Sequence, residues 1–167
     1  NAINIALEEL GNKVGNREIQ FIFEDGKCDG KEAATVAQKL VNIDKVSIIL
    51  GGLCSSETLG IAPITENGKV ILFSAFSSSP SITNAGQYIF RTVPSDNSPD
   101  VIGTILPYLN KYKRIAIIGE NSDYPIGVKQ ALESQLSSTT EIVANENFNS
   151  GEKDFRTYLT KIKAKNP

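Results

Sequence analysis

The sequence predicts an α/β protein built on parallel β-strands, and three observations support this fold class. Short apolar runs of the kind found in buried parallel strands occupy Val46–Leu50, Val70–Ser74 and Arg114–Gly119. Segments with the apolar spacing of a helix follow Val46–Leu50 and Arg114–Gly119. In the first half of the chain, predicted strands recur at intervals of about 25 residues, which is the rhythm of right-handed βαβ units. The predicted sheets are therefore parallel and flanked by helices.

Helix and strand signals alternate through the first half of the chain. Residues 1–10 have the apolar spacing of an amphipathic helix, and their acidic pair and lack of a basic start exclude a signal peptide. A strand is predicted at Arg17–Phe23. Asp29 is a suitable N-cap for a helix that contains Ala33–Val41. A further helix is predicted from about Glu57 to Glu66.

The rhythm breaks between Ser74 and Ile115. A Ser-rich loop is followed by a strand at Tyr88–Val93 and by a helix that begins at Ser98, in which Pro107 should produce a kink or an end. One break between two α/β runs predicts two lobes joined by a crossover near residues 88–94. The rhythm then resumes with a strand at Arg114–Gly119, a helix from Pro125 to about Leu136, a strand at Glu141–Ala144 and a last helix marked by Phe155, Leu159 and Ile162.

Composition excludes several classes of function. The 167 residues carry 17 basic and 19 acidic side chains, for a formal net charge of −2, and include no His, Met or Trp. Without His, this chain alone cannot build a Ser-His-Asp triad, a Cys-His pair or a His-ligated zinc site. The slight acidity argues against a general nucleic-acid binder, and no apolar run approaches the roughly 18 residues of a membrane-spanning helix. We therefore expect no cofactor, metal or nucleic-acid partner, and no membrane span.

The two cysteines, Cys28 and Cys54, each lie just beyond a predicted strand. If adjacent parallel strands place them together, they can form a disulfide. It would close a loop of about 27 residues and contribute about 3–4 kcal/mol in the chain-entropy model. A disulfide would indicate an exported protein. The alternative is two unrelated reduced thiols, and the spacing alone leaves both interpretations open.

Three polar segments follow predicted strands, at the sheet edge where open α/β folds bind ligands. Gly51–Ser56 combines two glycines, two hydroxyls and the start of a helix, which suits a carboxylate or phosphate. Ser74–Pro80 is dense in hydroxyls, and Asn121–Tyr124 ends in a ring that could close over a ligand. The alternative for each segment is helix capping and turn formation, which favour Ser, Asn and Asp for backbone reasons.

Other candidate sites are weaker. The spacing of Glu24, Asp25 and Asp29 matches no calcium loop, so a solvated turn and a helix cap explain them better. Cys54 as a nucleophile would need a base, and neither a G-x-S-x-G nor a G-x-x-x-x-G-K-[ST] motif occurs. A solvated helix face is the simplest interpretation of Lys153, Lys161, Lys163 and Lys165.

Longer stretches of the chain carry a resemblance to a known family. They are, in chain order, AINIALEEL, FEDGKCDGKEAATVAQKLV, GGLCSSETL with APITE, SPSIT, YIFRT, RIAIIGENSDY and GEKDFRTYL. Together they resemble the branched-chain amino acid-binding (Leu/Ile/Val-binding) family, the periplasmic type 1 substrate-binding proteins of ABC transporters. The resemblance implies two α/β lobes that close on a ligand by hinge motion, and a disulfide between Cys28 and Cys54.

The resemblance implies ligand-binding roles for Ser55, Ser56, Phe76, Ser77, Ser78 and Tyr124. Ser55 matches a serine that bonds the ligand carboxylate, and Ser56 follows it at the helix N-terminus. Phe76 matches a backbone carbonyl, and Ser78 a hydroxyl, that hold the carboxylate and the α-amino group, with Ser77 between them. Tyr124 matches an aromatic residue of the second lobe that covers the ligand.

The chain departs from the family pattern at two positions and in its extent. Phe76 stands where a small residue is usual, which predicts a smaller or differently shaped pocket, and Pro125 stands where Gly is usual. Family members begin with an earlier strand and continue well beyond Pro167, and their acidic residue for the ligand's amino group lies in that further part. The resemblance therefore implies about half of a family member, divided into an N-terminal lobe at 1–90 without its first strand, a crossover and helix at 91–112, and a partial second lobe at 113–167.

The function implied by the resemblance is non-covalent capture of an amino acid, or a related small carboxylate or amide, for uptake by an ABC transporter. The implied partner is a membrane permease, and the implied location is the periplasm or the cell exterior, a lipid anchor being one option. An alternative is the sensory ligand-binding domain of a receptor or amide-responsive regulator on the same fold. A hydrolase that uses Ser55 is disfavoured because the chain has no His.

Overall fold

The computed structural model describes residues 2–167, which form an alternating series of helices and strands. The elements in chain order are α1 (Ala2–Glu9), β1 (Lys13–Val14), β2 (Arg17–Glu18), α2 (Gly30–Asn42), β3 (Ile48–Leu50), α3 (Ser55–Gly68), β4 (Ile71–Ser74), a 3₁₀ helix (Pro80–Asn84), β5 (Ile89–Arg91), α4 (Pro99–Ile102), α5 (Leu106–Leu109), β6 (Arg114–Glu120), α6 (Asp123–Gln135), β7 (Glu141–Phe148) and α7 (Arg156–Ala164).

Two parallel sheets define two lobes. The first sheet has the order β3-β4-β5, with Ile49 opposite Leu72 and Phe73 opposite Phe90. The second sheet pairs β6 with β7, and its register shifts between Ile115 and Ala116. The predicted α/β class with parallel sheets is confirmed, because β3-α3-β4 and β6-α6-β7 are both βαβ units.

The core of the first lobe is the layer between its sheet and the helices α2 and α3. Ala37 and Leu72 are fully buried there. The helical spacing of apolar residues in α2 places one face of that helix on the sheet, while the charged face meets solvent. The core consists of Ala33, Ala37, Leu40, Val41, Ile49, Ile61, Val70 and Leu72.

The predicted strand at Arg17–Phe23 is wrong. Only Arg17–Glu18 is a strand, and it pairs antiparallel with Lys13–Val14 in a short hairpin. The backbone of residues 20–25 makes no hydrogen bond to any described backbone group. An apolar run becomes a strand only if a neighbouring strand accepts its hydrogen bonds, and a cavity of about 1120 Å³ separates this segment from the outer edge of β3. The further strand that the resemblance implies for this lobe stays a prediction.

The segment between the lobes is helical but broken. The helix predicted from Ser98 is present as α4 and α5, with an interruption at residues 103–105. Pro107 lacks the N–H that a continuous helix would donate to the Gly103 carbonyl, which explains the interruption. This segment also contacts the loop after α6, since the Asn110 side-chain oxygen accepts the Ser137 N–H at 3.1 Å. The domain boundaries at 1–90, 91–112 and 113–167 stay a prediction.

Candidate functional site

A cavity of about 1030 Å³, here called the cleft, opens between the two lobes. It lies at the carboxyl ends of β3, β4 and β6, where α/β proteins bind ligands. Among the predicted site residues, the structure brings Ser55, Ser56, Phe76, Ser78 and Tyr124 to this cleft. The residues of its wall also include Lys27, Asp29, Leu53, Glu120, Asp123 and Ser150.

The N-terminus of α3 faces the cleft. Cys54 is the N-cap, with extended backbone, and the N–H groups of Ser55 and Ser56 have no acceptor among residues 2–167. Unpaired N–H groups at the positive end of a helix dipole attract anions. This end of the cleft is therefore suited to a carboxylate.

Ser55 supplies a hydroxyl at the same point. Its side chain is 3% exposed, and Oγ accepts the N–H of Ser79 at 3.2 Å. The hydroxyl hydrogen has no acceptor in the described part of the chain. A buried hydroxyl with one unused donor at the wall of a cavity is available to an anionic ligand.

The disulfide predicted between Cys28 and Cys54 is confirmed, with the two Cα atoms 5.3 Å apart. It joins the loop before α2 to the start of α3. Ser56 reinforces this joint, because its hydroxyl donates to the Cys28 carbonyl at 3.0 Å. The Ser56 hydroxyl hydrogen is thus used within the protein, and its backbone N–H is the donor left for the cleft.

Glu57 supports the site without lining the cleft, and the sequence analysis did not identify it. One carboxylate oxygen accepts the Cys28 N–H and the other accepts the Cys54 N–H, both at 3.1 Å. The contact to Cys54 follows the capping-box pattern, in which a Glu three residues after the N-cap accepts the N-cap N–H. The capping-box pattern was therefore the sequence signal by which Glu57 could have been found. The contact to Cys28 depends on the tertiary fold and has no sequence signal.

The loop after β4 supplies Phe76 and Ser78. The Phe76 side chain is 66% exposed and faces the cleft, and no described donor contacts its carbonyl. The Ser78 hydroxyl has no hydrogen-bond partner within residues 2–167, while its carbonyl accepts the Asp96 N–H at 3.0 Å. The loop therefore offers a carbonyl acceptor and a free hydroxyl next to an apolar ring.

Ser77 lies behind the cleft instead of in its wall. It is 1% exposed, and its hydroxyl donates to the Gly52 carbonyl at 2.6 Å. Ser74 donates to the same carbonyl at 2.6 Å, and Thr58 lies 2.7 Å from the Ser77 hydroxyl. A Cβ at Gly52, where φ is +71°, would come within 2.0 Å of the Thr58 hydroxyl. Ser77 therefore joins the loops after β3 and β4 from within, and only a glycine fits at position 52 against Thr58.

Arg91 is a second residue that the sequence analysis did not identify. Its guanidinium donates to the Ser79 carbonyl at 2.8 Å and to the Thr83 hydroxyl at 2.6 Å. Burial lowers the pKa of Arg91, and the nearby Asp96 opposes that shift. An arginine stays protonated at neutral pH in any case, so a fixed positive charge braces the loop beside Ser55.

Tyr124 lines the cleft from the side of the second lobe. It lies in the first turn of α6, with its side chain 44% exposed, and its hydroxyl has no partner in the described part of the chain. Helix α6 begins at Asp123, two residues before the predicted start at Pro125. Pro125 fits there because the first turn of a helix needs no N–H donor.

The charges around the cleft are mixed. Asp29 is the N-cap of α2, and the N–H groups of Glu32 and Lys31 lower the pKa of its carboxylate. Glu120 and Asp123 lie on the side of the second lobe. Residues 2–167 contain no cluster of three or more His, Cys, Asp or Glu that could hold a metal ion. No helix in this range is long and apolar enough to cross a membrane.

The class of protein is defined by two α/β lobes and by the cleft that lies between them at the carboxyl ends of their strands. Within that class, the chain belongs to the periplasmic binding protein family, whose model matches residues 1–167. The resemblance stated from the sequence is thereby confirmed.

Curated relatives and solved structures agree with this assignment. The chain is 31% identical over 165 residues to the leucine-, isoleucine-, valine-, threonine- and alanine-binding protein of Pseudomonas aeruginosa, covering 95% of this chain and 44% of the relative. It is 33% identical over 160 residues to the Leu/Ile/Val-binding protein of Escherichia coli, covering 93% and 43%. The chain thus spans less than half the length of these relatives.

The fold is also similar to solved structures. A leucine-binding protein from Thermotoga maritima superposes with a TM-score of 0.85 at 28% identity, covering 99% of this chain and 47% of that one. A branched-chain amino acid transporter substrate-binding protein from Streptococcus pneumoniae, solved with isoleucine, gives 0.76 at 27% identity, covering 96% and 47%.

Proposed function

We propose that the chain is part of an extracytoplasmic substrate-binding protein that captures an amino acid, or a related small carboxylate or amide, for an ABC transporter. The carrying observation is the Ser55 hydroxyl, which is buried at the wall of the cleft with an unused donor beside two unpaired helix N–H groups. Both kinds of donor suit a carboxylate oxygen. Relatives at 31% and 33% identity are named for amino acid binding, which supports the ligand class.

In this proposal each lobe has a distinct role. The first lobe receives the carboxylate at Ser55 and at the Ser56 N–H, while the Ser78 hydroxyl and the Phe76 carbonyl contact the rest of the ligand's polar head. The second lobe brings Tyr124 over the ligand when the lobes close. The Phe76 ring reduces the space left for the ligand's side chain. The Ser77 hydroxyl acts indirectly, because its bond to Gly52 fixes the loop.

The proposed mechanism is binding without chemical change. The side chains of the cleft wall include no His and no activated nucleophile, and the hydroxyls of Ser55 and Ser56 are bonded to backbone groups. The closed form would then present both lobes to a membrane permease outside the cytoplasm. Ligand binding must therefore be reversible, and its affinity must depend on contacts from both lobes.

The test is calorimetric titration of the complete protein, freed of bound ligand, with L-leucine, L-isoleucine and L-valine. We expect at least one to bind and to be recovered unchanged by mass spectrometry. L-Leucinamide is the matched control, since it lacks only the carboxylate charge and should bind more weakly than L-leucine. The proposal is overturned if no amino acid, small carboxylate or amide binds. The assignment of a carboxylate to Ser55 and the α3 N-terminus is overturned if L-leucinamide binds as tightly as L-leucine.

A further inference from the structure

Ser79 and Gly127 form a close contact between the two lobes near the cleft. Ser79 precedes the 3₁₀ helix of the first lobe and is fully buried. Gly127 is buried in α6 of the second lobe. A Cβ built on Gly127 would lie 2.6 Å from the Ser79 hydroxyl oxygen and 3.3 Å from Pro80. Since real Cβ atoms do not approach an oxygen so closely, a side chain at position 127 would force the buried Ser79 side chain or α6 to shift.

Each member of the pair is directly connected to a residue of the binding site. The Ser79 N–H donates to Oγ of Ser55, so the position of Ser79 sets the position of that hydroxyl. Gly127 lies three residues after Tyr124, about one turn along the same helix. A displacement of α6 away from Ser79 would therefore carry Tyr124 away from Ser55.

The Ser79 hydroxyl makes no hydrogen bond that could explain its burial. Its oxygen is inaccessible to solvent and has no partner among the described residues. A buried hydroxyl without a partner is unfavourable, so the hydroxyl is not retained for hydrogen bonding within this structure. Its contact is steric, and the surface it fills is the one left open by the absent side chain of Gly127.

We propose that Ser79 and Gly127 are positioning residues that set how closely the lobes approach, and thereby the separation of Ser55 and Tyr124 across the cleft. This inference rests on the proposed function for its effect on ligand binding. Its effect on the arrangement of the lobes does not depend on that function.

The test uses Gly127→Ala, Ser79→Ala and the double variant of the complete protein. Gly127→Ala should hold the lobes apart and weaken L-leucine binding about tenfold, because misplacement of a site by an ångström is strongly felt. Ser79→Ala removes the oxygen that clashes and leaves an ordinary separation of 3.7 Å between the two Cβ atoms. The 3.3 Å contact with Pro80 remains, so the double variant should recover most, but not all, of the lost affinity.

Two controls distinguish positioning from a general effect on stability. Alanine has a higher helix propensity than glycine. The melting temperature of the Gly127→Ala protein should therefore be unchanged or raised even while its ligand binding weakens. Gln130→Ala changes an exposed residue of the same helix and should leave the affinity unchanged. Unaltered binding in Gly127→Ala, or a double variant as weak as Gly127→Ala, would overturn the proposal.

A second measurement needs no ligand. Spin labels on Asn67→Cys and Lys153→Cys, both exposed and on different lobes, report the distance between the lobes. Gly127→Ala should lengthen that distance, and adding Ser79→Ala to Gly127→Ala should restore it. An unchanged distance overturns the inference. If the distances behave as expected while no amino acid binds the wild type, the contact is supported and the proposed function fails.

Discussion

The Glu57 carboxylate accepts the Cys28 N–H at 3.1 Å, across 29 positions of the sequence. Its other oxygen accepts the N–H of the second disulfide cysteine at the same distance. The covalent joint between the two loops is therefore doubled by a charged, non-covalent one. The hydroxyl of the preceding serine, which donates to the Cys28 carbonyl at 3.0 Å, adds a third connection.

We predict that Glu57→Ala destabilises the protein by about 1–2 kcal/mol, because two N–H groups lose a charged acceptor and regain only solvent. Glu57→Gln keeps one acceptor oxygen and should lie between the wild type and the alanine variant. Urea unfolding of the oxidised protein gives the comparison. Equal stability of all three would show that the carboxylate is dispensable.

The disulfide itself should contribute about 3 kcal/mol, since it closes a loop with a sequence separation of 26. After reduction, Glu57 becomes the principal connection between the two loops. We therefore expect Glu57→Ala to lower the stability of the reduced protein by more than that of the oxidised protein. The urea midpoints of the four species test this, and strictly additive effects would contradict it.

Ser55→Ala should weaken amino acid binding about tenfold or more, because it removes a hydroxyl donor from a desolvated site. It also leaves the Ser79 N–H without its acceptor, so a small loss of stability accompanies the loss of affinity. Ser56→Ala is the matched control. Its hydroxyl is already committed to the Cys28 carbonyl, so the affinity should fall less. Equal losses in the two variants, measured by calorimetry, would contradict the assignment.

Tyr124→Ala should weaken binding about tenfold while the melting temperature stays unchanged, because the proposed role of the ring is to cover the ligand and the residue is 44% exposed. Tyr124→Phe should keep most of the affinity if the ring covers the ligand by its face. Tyr112→Ala, which truncates another exposed ring outside the cleft, controls for the loss of an aromatic side chain. A lowered melting temperature in Tyr124→Ala would indicate a structural role.

Local signals predicted most of the fold correctly. Val46–Leu50 and Val70–Ser74 are apolar enough to specify strands on their own, and β3 and β4 lie within them. The expected burial of both faces is wrong, because Ile48, Leu50, Ile71 and Phe73 are exposed. Asp29 specifies the start of α2, since its carboxylate accepts the N–H groups of Lys31 and Glu32. The prediction failed for residues 19–23, which alternate apolar and polar side chains at first but pair with no strand in the described chain.

The site could be predicted only in part for the same reason. Ser55 and Tyr124 follow strands at the ligand-binding edge, so their place in the cleft was predictable from order along the chain. Ser77 was predicted at the ligand but lies behind the cleft, because strand and loop direction decide which of three adjacent serines turns inward. Arg91 and Gly127 act through contacts with Ser79 that depend on tertiary packing.

The pKa of Asp29, lowered by the N–H groups of Glu32 and Lys31, predicts a pH dependence of stability. A carboxyl group whose pKa is lower in the folded state stabilises that state above its unfolded pKa of about 3.9, and the contribution is lost as the pH falls through the folded-state value. Asp29→Asn keeps a capping oxygen but cannot ionise, so its melting temperature should fall less steeply than that of the wild type below about pH 4. Asp100→Asn, at an exposed position in the first turn of α4, is the control. If the melting temperatures of the wild type and of Asp29→Asn fall equally with pH across the acid range, this role of Asp29 is contradicted.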